Sequence, residues 1–128
     1  MSPGAKKVLY LDDEELLVSL IQRRVRNEPY VFLGATSVAG ALAIVREHSP
    51  DLVITDFKMS PVDGLQFVEE ARQLKPDAIY VVHSGLADDA RIRDAIERKV
   101  LDRFVAKPWD TTRIRADIRE MLGLVTAP

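Results

Sequence analysis

The sequence contains no cysteine, has little net charge and includes no long apolar run. The lack of cysteine excludes disulfide frameworks and thiolate metal sites. A formal net charge of −2 gives no reason to expect nucleic-acid binding by the domain itself. No apolar run approaches the roughly 18 residues that a membrane-spanning helix needs, and the first residues lack the apolar core of a signal peptide. We therefore expect a cytoplasmic domain that binds no membrane.

Length and composition suit one domain. The chain has 128 residues, 47% of them hydrophobic and 30% charged, as in soluble globular proteins. We find neither an internal repeat nor a low-complexity tract. The expected organisation is an N-terminal tail over residues 1–5, a single domain over residues 6–123, and a C-terminal tail or start of a linker over residues 124–128.

Short apolar runs alternate five times with segments of helical periodicity. The predicted strands are Val8–Leu11, Val31–Ala35, Leu52–Thr55, Ala78–Val82 and Phe104–Ala106. In the first predicted helix, Leu16, Leu17, Leu20, Ile21 and Val25 recur at the spacing of an apolar helix face. This alternation predicts an α/β fold in which helices cover both faces of a parallel sheet through right-handed crossovers.

Capping residues mark several of the predicted helix ends. Ser37 and Asp63 precede the second and third helices as N-caps, and Asp110 is the predicted N-cap of the last helix. Gly123 is the expected C-terminal stop of that helix. Because Asp63 already serves the third helix, Asp56 is available for chemistry rather than capping.

The fourth predicted helix, from Ala87 to Lys99, has the weakest pattern. Its apolar stripe consists of Ile92 and Ile96 only. It also lacks a glycine at its end, where left-handed geometry is commonly needed. We therefore expect this helix to end differently from the others or to be loosely held.

Polar side chains follow four of the predicted strands. They are Asp12 and Asp13 after the first strand, Asp56 after the third, Ser84 after the fourth and Lys107 after the fifth. The carboxyl ends of parallel strands share one edge, so these groups should converge. Three adjacent carboxylates need a compensating cation, and hard oxygen ligands favour Mg²⁺. An ammonium and a hydroxyl suit phosphate, so the set predicts a carboxylate nucleophile facing a phosphoryl group.

In this arrangement the chain resembles the receiver domain of two-component response regulators over nearly its whole length. The resemblance rests on the strand-end residues above, together with Met59, Asp63-Gly64, Phe104, and the Gly85 and Pro108 that follow Ser84 and Lys107. Each piece alone is weak, but all of them in this order are specific. The resemblance implies a flavodoxin-like (βα)5 fold with five parallel strands in the order 2-1-3-4-5.

The resemblance also implies a mechanism. Asp56 would take a phosphoryl group from a sensor histidine kinase, a phosphotransfer protein or a small phosphodonor. Asp12, Asp13, Asp56 and the backbone carbonyl of Lys58 would hold Mg²⁺, while Lys107 and Ser84 would contact the phosphoryl oxygens. Ser84 and Phe104 would then switch the surface of helix four, strand five and helix five, which would control an output domain or partner or form a homodimer.

The loop after Asp56 departs from the family pattern, and two residues that flank the phosphate in this family are notable. Ser60 stands where proline usually follows Met59, with Pro61 one residue later, so the loop path is expected to differ. Lys58 and Leu86 lie two residues after Asp56 and Ser84, where they would influence how water reaches an acyl phosphate.

Other functions fit the sequence less well. An aspartyl-phosphate enzyme of the haloacid-dehalogenase type needs a second aspartate two residues after the first, and Lys58 occupies that place. A flavin-binding domain needs a Ser/Thr/Gly-rich loop after the first strand, which here is acidic. The domain is thus expected to be a phosphoacceptor rather than an enzyme, with Mg²⁺-dependent self-phosphorylation and autodephosphorylation only. A degenerate receiver that acts as a protein-interaction module is the alternative.

Overall fold

The computed structural model of the protein describes residues 4–59, 62–85 and 90–124. Strands and helices alternate along these residues. The strands are β1 (Lys7–Leu11), β2 (Val31–Ala35), β3 (Leu52–Asp56), β4 (Ile79–Ser84) and β5 (Arg103–Ala106). The helices are α1 (Glu15–Arg24), α2 (Val38–His48), α3 (Gly64–Leu74), α4 (Ala90–Glu97) and α5 (Ile114–Met121). None of the helices described is long and apolar enough to cross a membrane.

The five strands form one parallel sheet in the order β2-β1-β3-β4-β5, which confirms the predicted topology. The register keeps the carboxyl ends of the strands level. Leu11 of β1 lies opposite Thr55 of β3, and Ser84 of β4 lies opposite Ala106 of β5. The residues that follow these positions therefore meet at one edge of the sheet.

Strand alternation divides the core into two layers. On one face Leu9 and Val53 pack in a cluster that includes buried residues of α2, α3 and α4. On the other face Val8 and Ile54 pack in a cluster with buried residues of α1 and α5. Both layers are apolar because consecutive strand residues point to opposite faces, each covered by helices.

Two of the predicted caps are confirmed. Ser37 Oγ accepts a hydrogen bond from the Gly40 backbone N–H at 3.1 Å. Asp63 and Gln66 form a reciprocal capping box, in which each side chain accepts from the other's backbone N–H. Gly123 also has the left-handed geometry expected after the last helix, with φ of 76°.

The predicted N-cap role of Asp110 is wrong. Helix α5 begins at Ile114 and has Arg113 at its N-cap position. Asp110 Oδ1 instead accepts from the backbone N–H and the hydroxyl of Thr112, at 2.9 Å and 2.7 Å. These bonds close a turn ahead of the helix, because a short aspartate side chain competes well for nearby backbone donors.

The apolar face of α1 is rotated from the predicted stripe. Leu16 is 85% exposed, whereas Val18 and Ile21 are buried. In α3 the helical spacing predicts an apolar stripe of Leu65, Val68, Ala71 and Leu74, but the structure also buries Phe67 and leaves Leu74 45% exposed. Tertiary packing selects the buried face when apolar residues surround much of a helix, so periodicity alone did not identify it.

Helix α4 ends at Glu97, two residues earlier than predicted, and its proposed start at residues 87–89 lies outside the described residues. Lys99 adopts the left-handed geometry that glycine usually supplies, with φ of 61°. The Val100 and Leu101 N–H groups then donate to the Ala95 carbonyl. The helix therefore ends in a C-cap with one residue in the left-handed conformation, although that residue is lysine rather than glycine.

We expect Lys99→Gly to raise the free energy of unfolding by about 0.5–1 kcal/mol, because glycine adopts positive φ without steric cost. Chemical denaturation measures the change. The same replacement at the last residue of the helix, Glu97→Gly, is the control and should lower stability, by up to about 1 kcal/mol. Equal losses in both variants would contradict the left-handed assignment.

Candidate functional site

The carboxyl edge of the sheet brings together the predicted polar side chains. Asp12 and Asp13 follow β1, and Asp56 is the last residue of β3. Their carboxylates each offer an oxygen, and these three oxygens lie within 4.8 Å of one another. Lys107 follows β5 and reaches across to the same cluster. The sequence-predicted convergence of these four residues is therefore observed.

Asp12 is fully buried and held by hydrogen bonds at both carboxylate oxygens. Its Oδ1 accepts from the Glu14 backbone N–H at 2.9 Å, and its Oδ2 accepts from Lys107 Nζ at 3.1 Å. Its own backbone N–H donates to the Ala35 carbonyl at the end of β2. Asp13, by contrast, is exposed, so it faces the solvent side of the cluster.

Asp56 is 7% exposed and belongs to the same cluster. Its Oδ1 accepts from the Phe57 backbone N–H at 2.8 Å and lies 3.4 Å from Lys107 Nζ. The following backbone is fixed by Gly64, whose N–H donates to the Phe57 carbonyl at 2.7 Å. Only the absence of a Cβ at Gly64 lets α3 begin so close to the Asp56 carbonyl.

One ammonium serves two buried carboxylates in this cluster. Burial and the neighbouring Asp12 charge raise the pKa of Asp56, and Lys107 only partly offsets them. Burial acts to lower the pKa of Lys107, but its hydrogen bond to Asp12 and the nearby Asp56 charge raise it overall. With Asp13 added, the cluster carries excess negative charge, which fits a hard divalent cation held by oxygen ligands.

The structure describes three further predicted site residues, Ser84, Phe104 and Lys58. Ser84 ends β4 and is 2% exposed, and its carbonyl accepts from the Lys107 backbone N–H at 2.9 Å. Phe104 of β5 is half-buried against the core cluster that faces α2, α3 and α4. Lys58 is exposed, two residues after Asp56. Ser60, Pro61 and Leu86 lie outside the described residues, so the expected changes around them stay predictions.

Tyr10 is a site residue that the sequence reasoning missed. Its hydroxyl lies 3.4 Å from Asp12 Oδ2 and 2.8 Å from His83 Nδ1. His83 is a buried residue of β4, and burial together with Lys107 lowers its pKa to about 4. The sequence does contain one indication of this role. Tyr10 precedes Asp12 by two residues, and side chains two residues apart along a strand point to the same face of the sheet.

These features define a class of protein: a flavodoxin-like α/β domain whose carboxyl edge carries a carboxylate cluster and a lysine. A family model described as the response regulator receiver domain matches residues 8–119. The chain therefore belongs to the family of response regulator receiver domains. Members are phosphoacceptor signalling domains that interact with histidine kinases or phosphotransfer proteins.

Individual relatives agree with this assignment. The chain is 30% identical to the chemotaxis protein CheY of Bacillus subtilis, over 93% of this chain and 99% of CheY. It is 32% identical to a protein-glutamate methylesterase/protein-glutamine glutaminase of Burkholderia lata, over 80% of this chain but 29% of that protein. The CheY-like receiver domain of Methanospirillum hungatei shares the fold, with a TM-score of 0.84 at 21% identity over 94% of this chain and 95% of that one.

Proposed function

We propose that Asp56 is the phosphoacceptor of this receiver domain. The observation that supports this most directly is the position of its Oδ1, 3.4 Å from Lys107 Nζ and within the cluster of three carboxylates. Lys107 contacts Asp12 and Asp56, and of these two Asp56 is the one on β3, the strand beside β4 and its terminal Ser84. Burial keeps it in a setting of low dielectric, where a positioned charge has the largest effect on a developing phosphoryl charge.

The reaction would be a direct phosphoryl transfer. A carboxylate oxygen of Asp56 attacks the phosphorus of phosphohistidine, the P–N bond breaks, and its electron pair returns to the imidazole of the donor. The product is an acyl phosphate on Asp56. Lys107 Nζ would hold one phosphoryl oxygen and the Ser84 hydroxyl another, so that the transferred charge is neutralised by groups already in place.

The donor set of the cluster fits Mg²⁺. It consists of oxygen ligands only, with two buried carboxylates that a single ammonium does not balance. Asp12, Asp13, Asp56 and the backbone carbonyl of Lys58 would hold the ion. When bound, it would supply positive charge that lowers the repulsion between an incoming phosphoryl group and the carboxylates.

The register of the sheet supports a switch through Ser84 and Phe104. Phe104 pairs with Val82, two residues before Ser84 in β4, so Phe104 and Ser84 lie on the same face of neighbouring strands. A shift of Ser84 toward a phosphoryl group would free space on that face for the half-buried Phe104 ring. The surface formed by α4, β5 and α5 would then change shape and control a partner, an output domain or a homodimer.

The remaining assignments follow from this role. The domain would reside in the cytoplasm, span residues 6–123 between short tails, and catalyse only its own phosphorylation and dephosphorylation. Some relatives carry further regions, since the chain spans 29% of the Burkholderia lata methylesterase and 43% of a response regulatory protein of Staphylococcus epidermidis.

Beryllofluoride with Mg²⁺ tests the proposal, because it mimics a phosphoryl group on aspartate. We expect backbone amide shifts around Ser84 and Phe104, and labelling of the chain by acetyl phosphate. Asp56→Asn should abolish both responses. Asp77→Asn, which alters an exposed aspartate between α3 and β4, is the control and should leave them intact.

Two results would contradict the proposal. Unchanged labelling of Asp56→Asn would place the phosphoacceptor elsewhere. Absence of both labelling and amide shifts in the unmodified chain would favour the alternative, a degenerate receiver that acts through protein interaction alone.

A further inference from the structure

A surface pocket of about 420 Å³, called here the arginine pocket, lies where the end of α1 meets the start of β2. Its volume falls within the range of about 300–1,000 Å³ that is usual for small-molecule sites. The residues that line it are Gln22, Arg23, Val25, Arg26, Tyr30 and Phe32. Because β2 begins at the amino edge of the parallel sheet, this pocket lies at the opposite edge from Asp56 and the acidic cluster.

The arginine pocket carries positive charge that no neighbouring acid balances. Residues 22–32 contain three arginines and one acidic residue, Glu28. Glu28 Oε1 lies 2.6 Å from Arg119 Nη1, so its charge is already neutralised. Among the residues that the structure describes, no acidic side chain forms an ion pair with Arg23 or Arg26. Two guanidinium groups are therefore available to a ligand.

The chemistry of these two groups selects an anion. Arginine stays charged at any pH near neutral and has no acceptor, and its planar fork of N–H donors matches the oxygens of a phosphate group. Arg23 and Arg26 are both exposed, so a ligand can reach them from solvent. The end of a helix favours arginine even without a ligand. Arg24 shares the last turn of α1 with Arg23 but does not line the pocket, so it separates this general effect from the pocket itself.

Two aromatic side chains contribute to the wall of the pocket. Tyr30 is 6% exposed, and its hydroxyl donates to the Arg115 carbonyl at 3.5 Å. The Phe32 ring is stacked with the buried Tyr10 ring, with centroids 6.4 Å apart. Rings that are held in place favour a flat aromatic group, because little side-chain freedom is lost on binding. Gln22 adds a carboxamide that both donates and accepts, which suits the polar edge of a heterocycle.

We propose that the arginine pocket binds a small aromatic molecule that carries a phosphate group, with a nucleoside monophosphate as the simplest case. The guanidinium groups of Arg23 and Arg26 hold the phosphate, and the aromatic ring packs against Tyr30 and Phe32. Because the pocket and the acidic cluster lie at opposite edges of the sheet, binding requires neither Mg²⁺ nor phosphorylation of Asp56.

AMP, adenosine and ribose 5-phosphate test the two parts of this ligand separately. Adenosine lacks the phosphate, and ribose 5-phosphate lacks the aromatic ring. Each is titrated in EDTA, so that the acidic cluster holds no divalent cation that could attract a phosphate, and backbone amide shifts report where it binds. We expect shifts that are concentrated in residues 22–32, with AMP binding about 10-fold more tightly than either fragment.

Three single variants test the role of the arginines. Arg23→Gln and Arg26→Gln should each weaken AMP binding by about 3–5-fold and leave adenosine unaffected. Arg24→Gln is the matched control, because it removes an equal charge from the same helix end outside the pocket. It should weaken AMP binding by less than about 2-fold, since an exposed charge that does not touch the ligand is screened by solvent.

Phe32→Leu tests the aromatic wall. Once thermal unfolding has shown that this variant is folded, it should weaken AMP and adenosine by at least about 5-fold and leave ribose 5-phosphate unaffected. Asp56→Asn should bind AMP as the unmodified chain does. The result is thus independent of whether Asp56 accepts a phosphoryl group.

Four results would overturn the proposal. Unshifted amides in residues 22–32 at millimolar AMP would mean that the pocket is not a ligand site. Equal affinities for AMP and adenosine would mean that the arginines hold no phosphate. Equal weakening by Arg24→Gln and Arg23→Gln would mean that only the overall charge of this helix end attracts AMP. Loss of AMP binding in Asp56→Asn would place the nucleotide at the acidic cluster instead.

Discussion

Replacing Gly64 by alanine is expected to lower the free energy of unfolding by about 3 kcal/mol, at the upper end of the cost of overpacking. A Cβ at this position would overlap the Asp56 carbonyl oxygen and come within 3.0 Å of Phe57 Cα. Both contacts are with backbone atoms, which cannot rotate away as a flexible side chain can. The strain should fall on the end of β3, so Asp56 should also lose reactivity toward phosphodonors. Chemical denaturation and acetyl phosphate labelling measure the two effects.

Gly85→Ala is the matched control, because a Cβ at Gly85 would meet no atom of the described residues, 4–59, 62–85 and 90–124, within 4 Å. Its stability should change by no more than about 0.5 kcal/mol. Without the clash, Gly64→Ala at the first residue of α3 would be neutral or stabilising, since alanine restricts the unfolded chain. A stable Gly64→Ala variant that is labelled normally would show that β3 and α3 can separate without affecting Asp56.

The parallel sheet and the acidic cluster could be predicted because each depends on a short-range rule, whereas the strand order was implied by the family resemblance. Apolar runs between helical segments indicate a parallel sheet, and parallel strands place the residues after them at one edge. Asp12, Asp56 and Lys107 occupy that edge whatever the details of helix packing. Sequence reasoning therefore identified the cluster before the helices were placed accurately.

Features that depend on tertiary contacts were harder to predict. Leu16 fits an apolar helix face as well as Val18 does, and only packing against the sheet distinguishes them. Lys99 adopts positive φ although lysine carries a steric cost there, so its role was not visible in the residue type. The Tyr10–His83 contact joins residues that are 73 positions apart on strands that are not neighbours.

Replacing Lys107 by methionine should slow the labelling of Asp56 by about 100-fold. The variant keeps the length and apolar stem of the side chain but removes the ammonium, 3.4 Å from Asp56 Oδ1. Loss of one positioned group that stabilises developing charge typically costs 100- to 1,000-fold in rate. Single-turnover labelling with acetyl phosphate at saturating Mg²⁺ measures the change, because it reports the transfer step rather than metal affinity.

Stability should change in a pH-dependent way in the same variant. Without Lys107, the buried Asp12 and Asp56 carboxylates repel each other with no compensating charge, so the folded-state pKa of Asp56, already raised by burial, should rise further. When the pKa of a carboxyl is higher in the folded than in the unfolded chain, the folded chain binds the proton more tightly. The variant should therefore lose stability, relative to the unmodified chain, as pH rises from the unfolded to the folded pKa of Asp56, and added Mg²⁺ should reduce the loss.

Lys58→Met is the control for both measurements, because it removes an equal charge two residues from Asp56 at an exposed position. It should slow labelling far less than Lys107→Met and should leave the pH dependence of stability unchanged, since an exposed charge is screened by solvent. Equal effects of the two variants would mean that the net charge near the site matters, rather than the placement of one ammonium between two buried carboxylates. A strong effect confined to Lys107→Met would instead link the geometry at the sheet edge to the transfer step itself.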